Sequence, residues 1–153
     1  MYKMGTRSQK HFDTIHKDLQ AIVLELLKVY DVSVISGVRT DAEQLALYKD
    51  NKSTLDGISR KSKHQPKEDE DGKMVSFAVD IMPYKKGSNA FSNKMLDNVR
   101  FYFMMGLMRS ISIRLLEEGK ISHKLRFGLD WDSDDVYFDQ NFHDLPHAEL
   151  IAV

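Results

Sequence analysis

One acidic side chain interrupts an apolar run of the sequence. Asp80 stands between Val79 and Ile81 in the segment "FAVDIMP". An ionised carboxylate is costly to bury unless it is paired or bound to a cation, so Asp80 is a candidate metal ligand. Successive side chains of a strand point to opposite faces, however, and Asp80 could equally face solvent while its neighbours face the core. The run by itself leaves both interpretations open.

A second segment, "HDLPHAEL" (143–150), places Asp144, His147 and Glu149 close together. Glu149 follows His147 by two residues and shares its face if the segment is extended. A carboxylate near a metal-bound water is the general base that hydrolysis needs. A carboxylate beside a metal-ligating imidazole fixes its tautomer. These residue types therefore suit a metal site that hydrolyses its substrate.

Composition limits the classes of chemistry that are open to the chain. It has 153 residues, of which 42% are hydrophobic and 29% are charged, and this suits one globular domain. There is no cysteine, so disulfides, thiol nucleophiles and thiolate metal sites are excluded, and a metal site must use His, Asp or Glu. The 22 basic and 23 acidic residues give a formal net charge of -1, so we expect no nucleic-acid partner.

No segment is predicted to enter a membrane. The N-terminal "MYKMGTRSQKHFD" lacks the apolar centre of a signal peptide. The most apolar run, "FYFMMGLM" (101–108), is flanked by Arg100 and Arg109 and is far shorter than the roughly 20 residues of a membrane span. We therefore expect a protein that is made in the cytoplasm and has no membrane insertion. We also expect a monomer, with residues 1–153 forming a single domain.

The elements that position these residues follow from periodicity and from capping signals. The capping-box pair Thr40 and Glu43 predicts a helix start, and Pro83 ends a strand. The expected elements are a helix over 8–29, a strand over 31–37, a helix from 40 to about 50, a loop over 51–74, a strand over 76–83, a helix over 92–119, and strands over 124–128 and 147–153. This order predicts a single α+β domain with a small, mostly antiparallel sheet packed with helices.

Two details of the predicted helices can be compared directly with the structure. His11 and His16 lie beside the apolar stripe of the first helix, and we expect solvated or edge residues rather than ligands there. In the longest helix, Ser92 is the expected cap, and the methionine cluster in its middle is expected to fill the core.

Five motifs in this order resemble a known family. They are "SGVRT" (36–40), "SKH" (62–64), "FAVDIMPY" (77–84), "RFGLDW" (126–131) and "LPHAEL" (145–150). Together they resemble the D-alanyl-D-alanine carboxypeptidase and dipeptidase superfamily of zinc peptidases. They are most similar to the phage endolysins that cut the L-alanyl-D-glutamate bond of peptidoglycan. The resemblance extends from about residue 8 to residue 150.

The resemblance implies a ligand set for one zinc ion at the sheet. His64, Asp80 and His147 would bind the metal and leave a fourth position for water, as is usual for catalytic zinc. Asp144, three residues before the last ligand, would be the general base. Glu149 would be a partner of a ligand histidine outside the metal's own ligands.

Two further residues receive roles from the same resemblance. Arg39 would stabilise the oxyanion or bind a substrate carboxylate, for which its planar and permanently charged guanidinium is suited. Ser62 occupies the position of a substrate-contacting serine.

The chain departs from the family pattern between the first two ligands. The usual form separates His and Asp by seven residues with a glycine between them. Here Asp80 follows His64 by sixteen residues, and Ser76 stands where the glycine is expected. The additional polar residues, at about 65–75, are expected to form a surface loop. They could also reshape the substrate groove.

Other chemistry-bearing residues receive weaker interpretations. Asp130, Asp132 and Asp134 have calcium-loop spacing but lack the glycine and the final glutamate of such loops, so a solvated turn is preferred. His143 could be a fourth ligand of a structural metal, and His123 is expected in a loop. The basic residues of "SRKSKHQPK" (59–67) could contact an anionic wall polymer, although a solvated face is the default.

The expected function is therefore that of a zinc metallopeptidase acting on the peptidoglycan stem peptide. A phage lysis enzyme of this kind, without a separate cell-wall-binding domain, would reach the wall after the membrane is permeabilised. The alternatives are a D-alanyl-D-alanine carboxypeptidase and an inactive, metal-containing module that binds the cell wall. Because Asp144 is present, an active enzyme is favoured over the inactive module.

Overall fold

A computed structural model describes residues 1–87, 91, 95–137 and 139–153 of the chain. The helices are α1 (Thr6–Phe12), α2 (Lys17–Val29), α3 (Asp41–Lys49) and α4 (Met95–Glu117). The strands are β1 (Val32–Ser36), β2 (Lys67–Glu68), β3 (Met74–Val75), β4 (Ala78–Pro83), β5 (Lys124–Phe127) and β6 (His147–Ile151). The expected helix cap Ser92 lies outside the described residues.

The main sheet has four strands in the order β1-β4-β6-β5, and every pair in it is antiparallel. Asp80 pairs with His147 across β4 and β6, and Arg126 pairs with Glu149 across β5 and β6. Opposite residues of an antiparallel pair present their side chains on the same face. The predicted α+β domain with a small antiparallel sheet is therefore confirmed, and its register brings the candidate site residues together.

The hydrophobic core lies between this sheet and the helices. Alternation along β4 directs Val79 and Ile81 into the core, where both are fully buried, and leaves Asp80 on the opposite face. The core residues from α2 are Leu19, Ile22, Val23 and Leu26, and those from α4 include Phe101, Met104, Met105 and Met108. The prediction that the methionine cluster fills the core is confirmed. No helix among the described residues has the length and apolar character to cross a membrane.

The predicted single helix over 8–29 is wrong, because the chain breaks between α1 and α2. His16 donates its backbone N–H to the carbonyl of Ser76, and the N–H of Ser76 donates to Thr14. This short pairing replaces a helical turn. His16 then caps α2, its ring Nδ1 accepting the N–H of Asp18 at 3.1 Å. His16 is therefore fully buried rather than solvated, which corrects the expectation made for it.

The predicted loop over 51–74 also contains regular structure, because β2 and β3 form a small hairpin. The carboxylate of Asp69 accepts the backbone N–H groups of Asp71 and Lys73, and this closes the turn. Gly72 adopts φ 75°, a conformation that favours glycine. The additional residues between His64 and Asp80 thus form a hairpin, whereas the capping box of Thr40 and Glu43 is present as predicted.

Candidate metal centre and active site

Three side chains from separate parts of the fold converge on the face of the sheet opposite Val79 and Ile81. His64 follows the loop after α3, Asp80 lies on β4, and His147 begins β6. Asp80 Oδ1 lies 3.1 Å from His64 Nε2 and 3.2 Å from His147 Nδ1, and the two ring nitrogens are 3.3 Å apart. We call these residues the central triad.

The donor atoms of the central triad have the spacing that a tetrahedral metal ion requires. Ligands of a zinc ion with bonds of about 2.0 Å lie about 3.3 Å apart. Two imidazoles and one carboxylate form an established ligand set for zinc with an open fourth position. The residues present therefore fit a zinc ion, and they meet as the sequence predicts.

The second ring nitrogen of each histidine is held by an acceptor. His64 Nδ1 lies 2.8 Å from the carbonyl oxygen of Gly37, which can only accept, so Nδ1 carries the hydrogen. His147 Nε2 lies 3.0 Å from the carboxylate of Glu149. Such partners direct the lone pair of the other nitrogen toward a metal. The contact of Glu149 with His147 is the one that the resemblance implies.

Arg126 holds Glu149 in turn. Its Nε donates to Glu149 Oε1 at 3.0 Å and its Nη2 donates to the same oxygen, while Nη1 donates to the carbonyl of Trp131 at 3.3 Å. The indole ring of Trp131 lies 5.3 Å from the His147 ring and is tilted over it. The ligand histidine is therefore fixed from its edge by a carboxylate and from its face by an aromatic ring.

Asp80 and His147 of the central triad have strongly shifted pKa values. Burial by itself would raise the pKa of Asp80, but its hydrogen bonds with His147 and His64 outweigh burial and hold the pKa well below its usual range. Burial opposes the charging of His147, yet its hydrogen bonds with Asp80 and Glu149 raise its pKa to about 9. The carboxylates of Asp80 and Glu149 thus lie on either side of His147, where they favour positive charge.

Asp144 lies beside the triad on the loop that precedes β6. Burial raises the pKa of its carboxyl, and this outweighs the opposing effect of His147. The loop approaches β5 closely, since a Cβ on Gly128 would lie 2.5 Å from the Asp144 carbonyl oxygen. The Asp144 N–H donates to the Gly128 carbonyl at 2.8 Å. Glycine in "RFGLDW" therefore allows the candidate base to come near the metal ligands.

Arg39 reaches the triad from the other side. Its Nη2 donates to Asp80 Oδ2 at 3.3 Å, and its Nη1 donates to Gln44 Oε1 at 2.9 Å. Its backbone N–H also donates to the carbonyl of His64. Ser62 lies two residues before that ligand, and its hydroxyl accepts the His64 N–H at 3.2 Å. Arg39 and Ser62 are both part of the site, as expected.

All of these groups line one cavity of about 650 Å³, which we call the central cavity. It is lined by Arg39, Leu47, Lys52, Ser53, Thr54, Leu55, Lys61, Ser62, Lys63, His64, Asp80, Arg126, Trp131, Phe142, Asp144, His147 and Glu149. The triad, the candidate base and the candidate arginine therefore face the same space, which a peptide could enter. His143 is exposed and lies outside this lining, so among the described residues it does not complete a closed metal site.

The described part of the chain contains two other groups of candidate ligands. His123 lies in a loop as expected, but its ring contacts buried Asp18 and, with His16, it lies near Glu70 at the hairpin. Asp130 is buried, and its carboxylate accepts the N–H groups of Asp134 and Asp135. The side chain of the first residue of this turn thus closes it by hydrogen bonds to the backbone.

Three residues of the site were missed by reasoning from the sequence: Gln44, Arg126 and Trp131. Arg126 and Glu149 are opposite charges on separate strands, and a cross-strand pairing with known register is the signal that would have linked them. Gln44 lies on α3 with no distinctive neighbour. Trp131, like Arg126, is part of the motif "RFGLDW", but neither residue was given a role there.

Comparison with known proteins identifies the family of this chain. Residues 1–151 match the family described as phage L-alanyl-D-glutamate peptidase. The L-alanyl-D-glutamate peptidase of Escherichia phage T5 is 28% identical over 156 residues, covering 98% of each chain.

A solved structure shares the fold. The Serratia marcescens L-Ala D-Glu endopeptidase ChiX superposes with a TM-score of 0.63 at 19% identity, covering 97% of this chain and 90% of that one. The vancomycin resistance D,D-dipeptidase VanXYg, solved with a D-Ala-D-Ala phosphinate analogue, gives a TM-score of 0.45 at 18% identity and covers 88% of this chain and 48% of that one. The resemblance seen in the sequence motifs is confirmed. This chain belongs to the phage L-alanyl-D-glutamate peptidase family.

Proposed function

We propose that this chain is a zinc-dependent endolysin that hydrolyses the L-alanyl-D-glutamate bond of the peptidoglycan stem peptide. Membership of the family supports the choice of bond. The proposed metal is supported by the geometry of the central triad, whose three donor atoms lie 3.1–3.3 Å apart with their lone pairs directed inward. His64, Asp80 and His147 would hold one zinc ion per chain.

Zinc bound to these residues would supply a Lewis acid and lower the pKa of a water to about 7. The protein's own contribution is to hold the ligands ready. Gly37 fixes the tautomer of His64, and Glu149, held by Arg126, fixes that of His147. A site arranged before the ion arrives does not have to reorganise during the reaction.

Asp144 is the proposed general base. Its carboxylate would take the proton of the attacking water and then return it to the amine that leaves when the peptide bond breaks. The environment that raises its pKa suits a group that must both accept and release a proton. Its place in the central cavity, next to the triad, gives it access to a substrate bound there.

Arg39 and Ser62 are proposed to contact the substrate. The guanidinium of Arg39 lies against Asp80 at the cavity wall, where it would stabilise negative charge developing on the carbonyl oxygen. Ser62, beside His64, would donate or accept a hydrogen bond to the peptide backbone. We further propose that the enzyme acts as a monomer and as a single domain, and that it is made in the host cytoplasm and reaches the wall once the membrane is permeabilised.

The decisive experiment is digestion of purified peptidoglycan with and without a chelator, followed by mass spectrometry of the released ends. New amino-terminal D-glutamate that disappears with chelator and returns with added zinc is the expected result. Release of free D-alanine instead would identify a D-alanyl-D-alanine carboxypeptidase. Stoichiometric zinc without any cleavage would identify a binding module and refute the proposed hydrolysis.

A further inference from the structure

The central cavity continues into a second space of about 460 Å³, which we call the outer cavity. The two share the lining residues Lys52, Ser53, Thr54 and Phe142. The outer cavity adds Tyr48, Asn51 and Arg60. A substrate longer than the dipeptide being cut could therefore extend from the triad past Phe142 toward Arg60.

The outer cavity has a different charge from the centre. The central cavity combines cations with the carboxylates of Asp80, Asp144 and Glu149. The described lining of the outer cavity has two cations, Lys52 and Arg60, and no carboxylate. Within the described residues, the ion pair of Lys52 is with exposed Asp50 at 3.3 Å. A pair of that kind contributes little to stability, so the ammonium can turn to a ligand.

The loop that carries these cations is tied to the catalytic arginine through one buried residue. Gln44 is fully buried, and its Oε1 accepts from Arg39. Its Nε2 donates to Ser53 Oγ at 2.9 Å and to the carbonyl of Leu55 at 2.7 Å. Because a buried amide with both ends satisfied defines one geometry, the wall of the outer cavity has a fixed position relative to Arg39.

A second set of hydrogen bonds fixes the backbone at Arg60. The carboxylate of Asp56 accepts the N–H groups of Ile58 and Arg60, each at 2.9 Å, and also the Ser59 hydroxyl. The N–H of Gly57 donates to the Arg60 carbonyl at 3.1 Å. The Arg60 side chain is exposed, so an ordered backbone presents a guanidinium to solvent. This lowers the entropic cost of binding a ligand there.

We propose that the outer cavity binds a carboxylate of the stem peptide that lies away from the cleaved bond, with Arg60 as the main partner and Lys52 as the second. The inference rests on the proposed function and adds a specificity determinant to it. Arginine is suited to this task because its fork donates two parallel hydrogen bonds to one carboxylate. The exposed rings of Tyr48 and Phe142 form the apolar sides of the passage.

The test uses two synthetic peptides, N-acetyl-L-alanyl-D-glutamyl-L-lysine with its terminal carboxylate either free or converted to the carboxamide. The wild-type enzyme is expected to cleave the free acid with a kcat/KM about tenfold higher, mainly through KM, as expected for the loss of one charge-assisted contact. Arg60→Ala, and more fully the double variant with Lys52→Ala, should cleave both peptides at the rate at which the wild type cleaves the carboxamide.

Lys49→Ala is the matched control, because Lys49 is an exposed cation at the end of α3 that lies outside the lining of both cavities. It should keep the preference for the free acid. Equal cleavage of the two peptides by the wild type, or a preference that survives in the double variant, would overturn the inference while leaving the proposed function intact. Cleavage of neither peptide by the wild type would refute the proposed function, and this inference with it.

Discussion

Among the residues that the structure describes, two groups consist of two histidines and one carboxylate, and we propose that only one of them holds a metal. The central triad is His64, Asp80 and His147; the other group, which we call the hairpin cluster, is His16, Glu70 and His123. In the triad all three donor separations are 3.1–3.3 Å. In the hairpin cluster the Glu70 carboxylate lies 3.1 Å from His16 Nε2 and 3.9 Å from His123 Nε2.

The tautomers separate the two groups more clearly than the distances do. His16 Nδ1 accepts the N–H of Asp18, so its Nε2 must carry the hydrogen that it donates to Glu70. A nitrogen that carries a hydrogen has no lone pair for a metal. In the triad the hydrogen is on the far nitrogen of each ring, because Gly37 and Glu149 are acceptors.

Neighbouring charge does not separate the groups, because each carboxylate has a cationic partner: Lys17 lies 3.5 Å from Glu70, and Arg39 lies 3.3 Å from Asp80. The hairpin cluster attaches the inserted hairpin to α2, whereas the tautomers of the triad leave lone pairs available to a cation. Proximity of ligating side chains identifies a candidate site, but the partners of the second ring nitrogen decide whether it can bind metal.

Loss of a triad histidine gives the largest expected effect. His64→Ala or His147→Ala should reduce bound zinc from one per chain to a trace, measured by elemental analysis after dialysis, because two remaining ligands cannot hold the ion. His123→Ala, in the hairpin cluster, should retain one zinc. Full zinc content in both triad variants would show that the ion binds elsewhere.

Asp144→Ala separates catalysis from metal binding within the central site. We expect turnover of a stem-peptide substrate to fall at least about a hundredfold with zinc content unchanged, because the general base is removed while the ligands stay in place. Asp144→Asn should behave in the same way. Turnover within a few-fold of wild type in both variants would remove Asp144 from the mechanism.

Arg126→Lys tests whether the partner of the second ring nitrogen of His147 affects metal binding, as the comparison of the two groups indicates. A lysine keeps the charge but cannot donate Nε and Nη2 together to Glu149, so zinc affinity should fall about tenfold in competition with a chromophoric chelator. Arg114→Lys, at an exposed pair with Glu118, is the control. In a Glu149→Gln background the Arg126 change should have little further effect, and an undiminished effect would show that Arg126 acts by another route.

Asp18→Ala should have the smallest effect on the metal site and a clear effect on stability. The Asp18 carboxylate accepts the backbone N–H groups of Ser122 and His123. Without the carboxylate these N–H groups have no acceptor, so the free energy of unfolding should fall by about 1–3 kcal/mol. Urea denaturation measures this change, and zinc content should stay the same. Loss of zinc in this variant would contradict the separation of the two groups.

The same residue gives a pH dependence with a definite sign. Burial would raise the pKa of Asp18, but the hydrogen bond from His123 and those from Ser122 lower it below its ordinary value of 3.8. The stabilisation is therefore fully present above pH 3.8 and is lost as the pH falls through the lower pKa of the folded state. The difference in the free energy of unfolding between wild type and Asp18→Ala should narrow over that acidic range. A difference that stays constant would contradict the lowered pKa of Asp18.

Local signals predicted much of the fold correctly. The capping box at Thr40, the apolar run around Asp80 and the alternation after His147 each describe their own neighbourhood, and the structure has the expected element at all three. The break at His16 was missed because Phe12 and Ile15 continue the apolar stripe into α2. The break depends on pairing with Ser76, which is sixty residues distant and leaves no mark on the local pattern.

The candidate site also contains residues that local motifs predicted and residues that depend on distant contacts. The motifs identified the residues that face the cavity, because the chemistry of a metal site restricts their types. Gln44 and Arg126 were missed because their roles depend on which strand or loop lies opposite them. Register across β5 and β6 is a property of the folded sheet, and the sequence of either strand by itself does not specify it.

The position of β6 has a consequence for the order of events during synthesis. This strand follows every other strand in the chain, yet it lies between β4 and β5, which are made earlier. It carries His147 and Glu149, and the segment before it carries Asp144. A nascent chain would therefore have neither the complete proposed metal site nor the proposed base until this segment has left the ribosome and inserted into the sheet. Under the proposed mechanism, hydrolytic activity would be acquired only when β6 has inserted between β4 and β5.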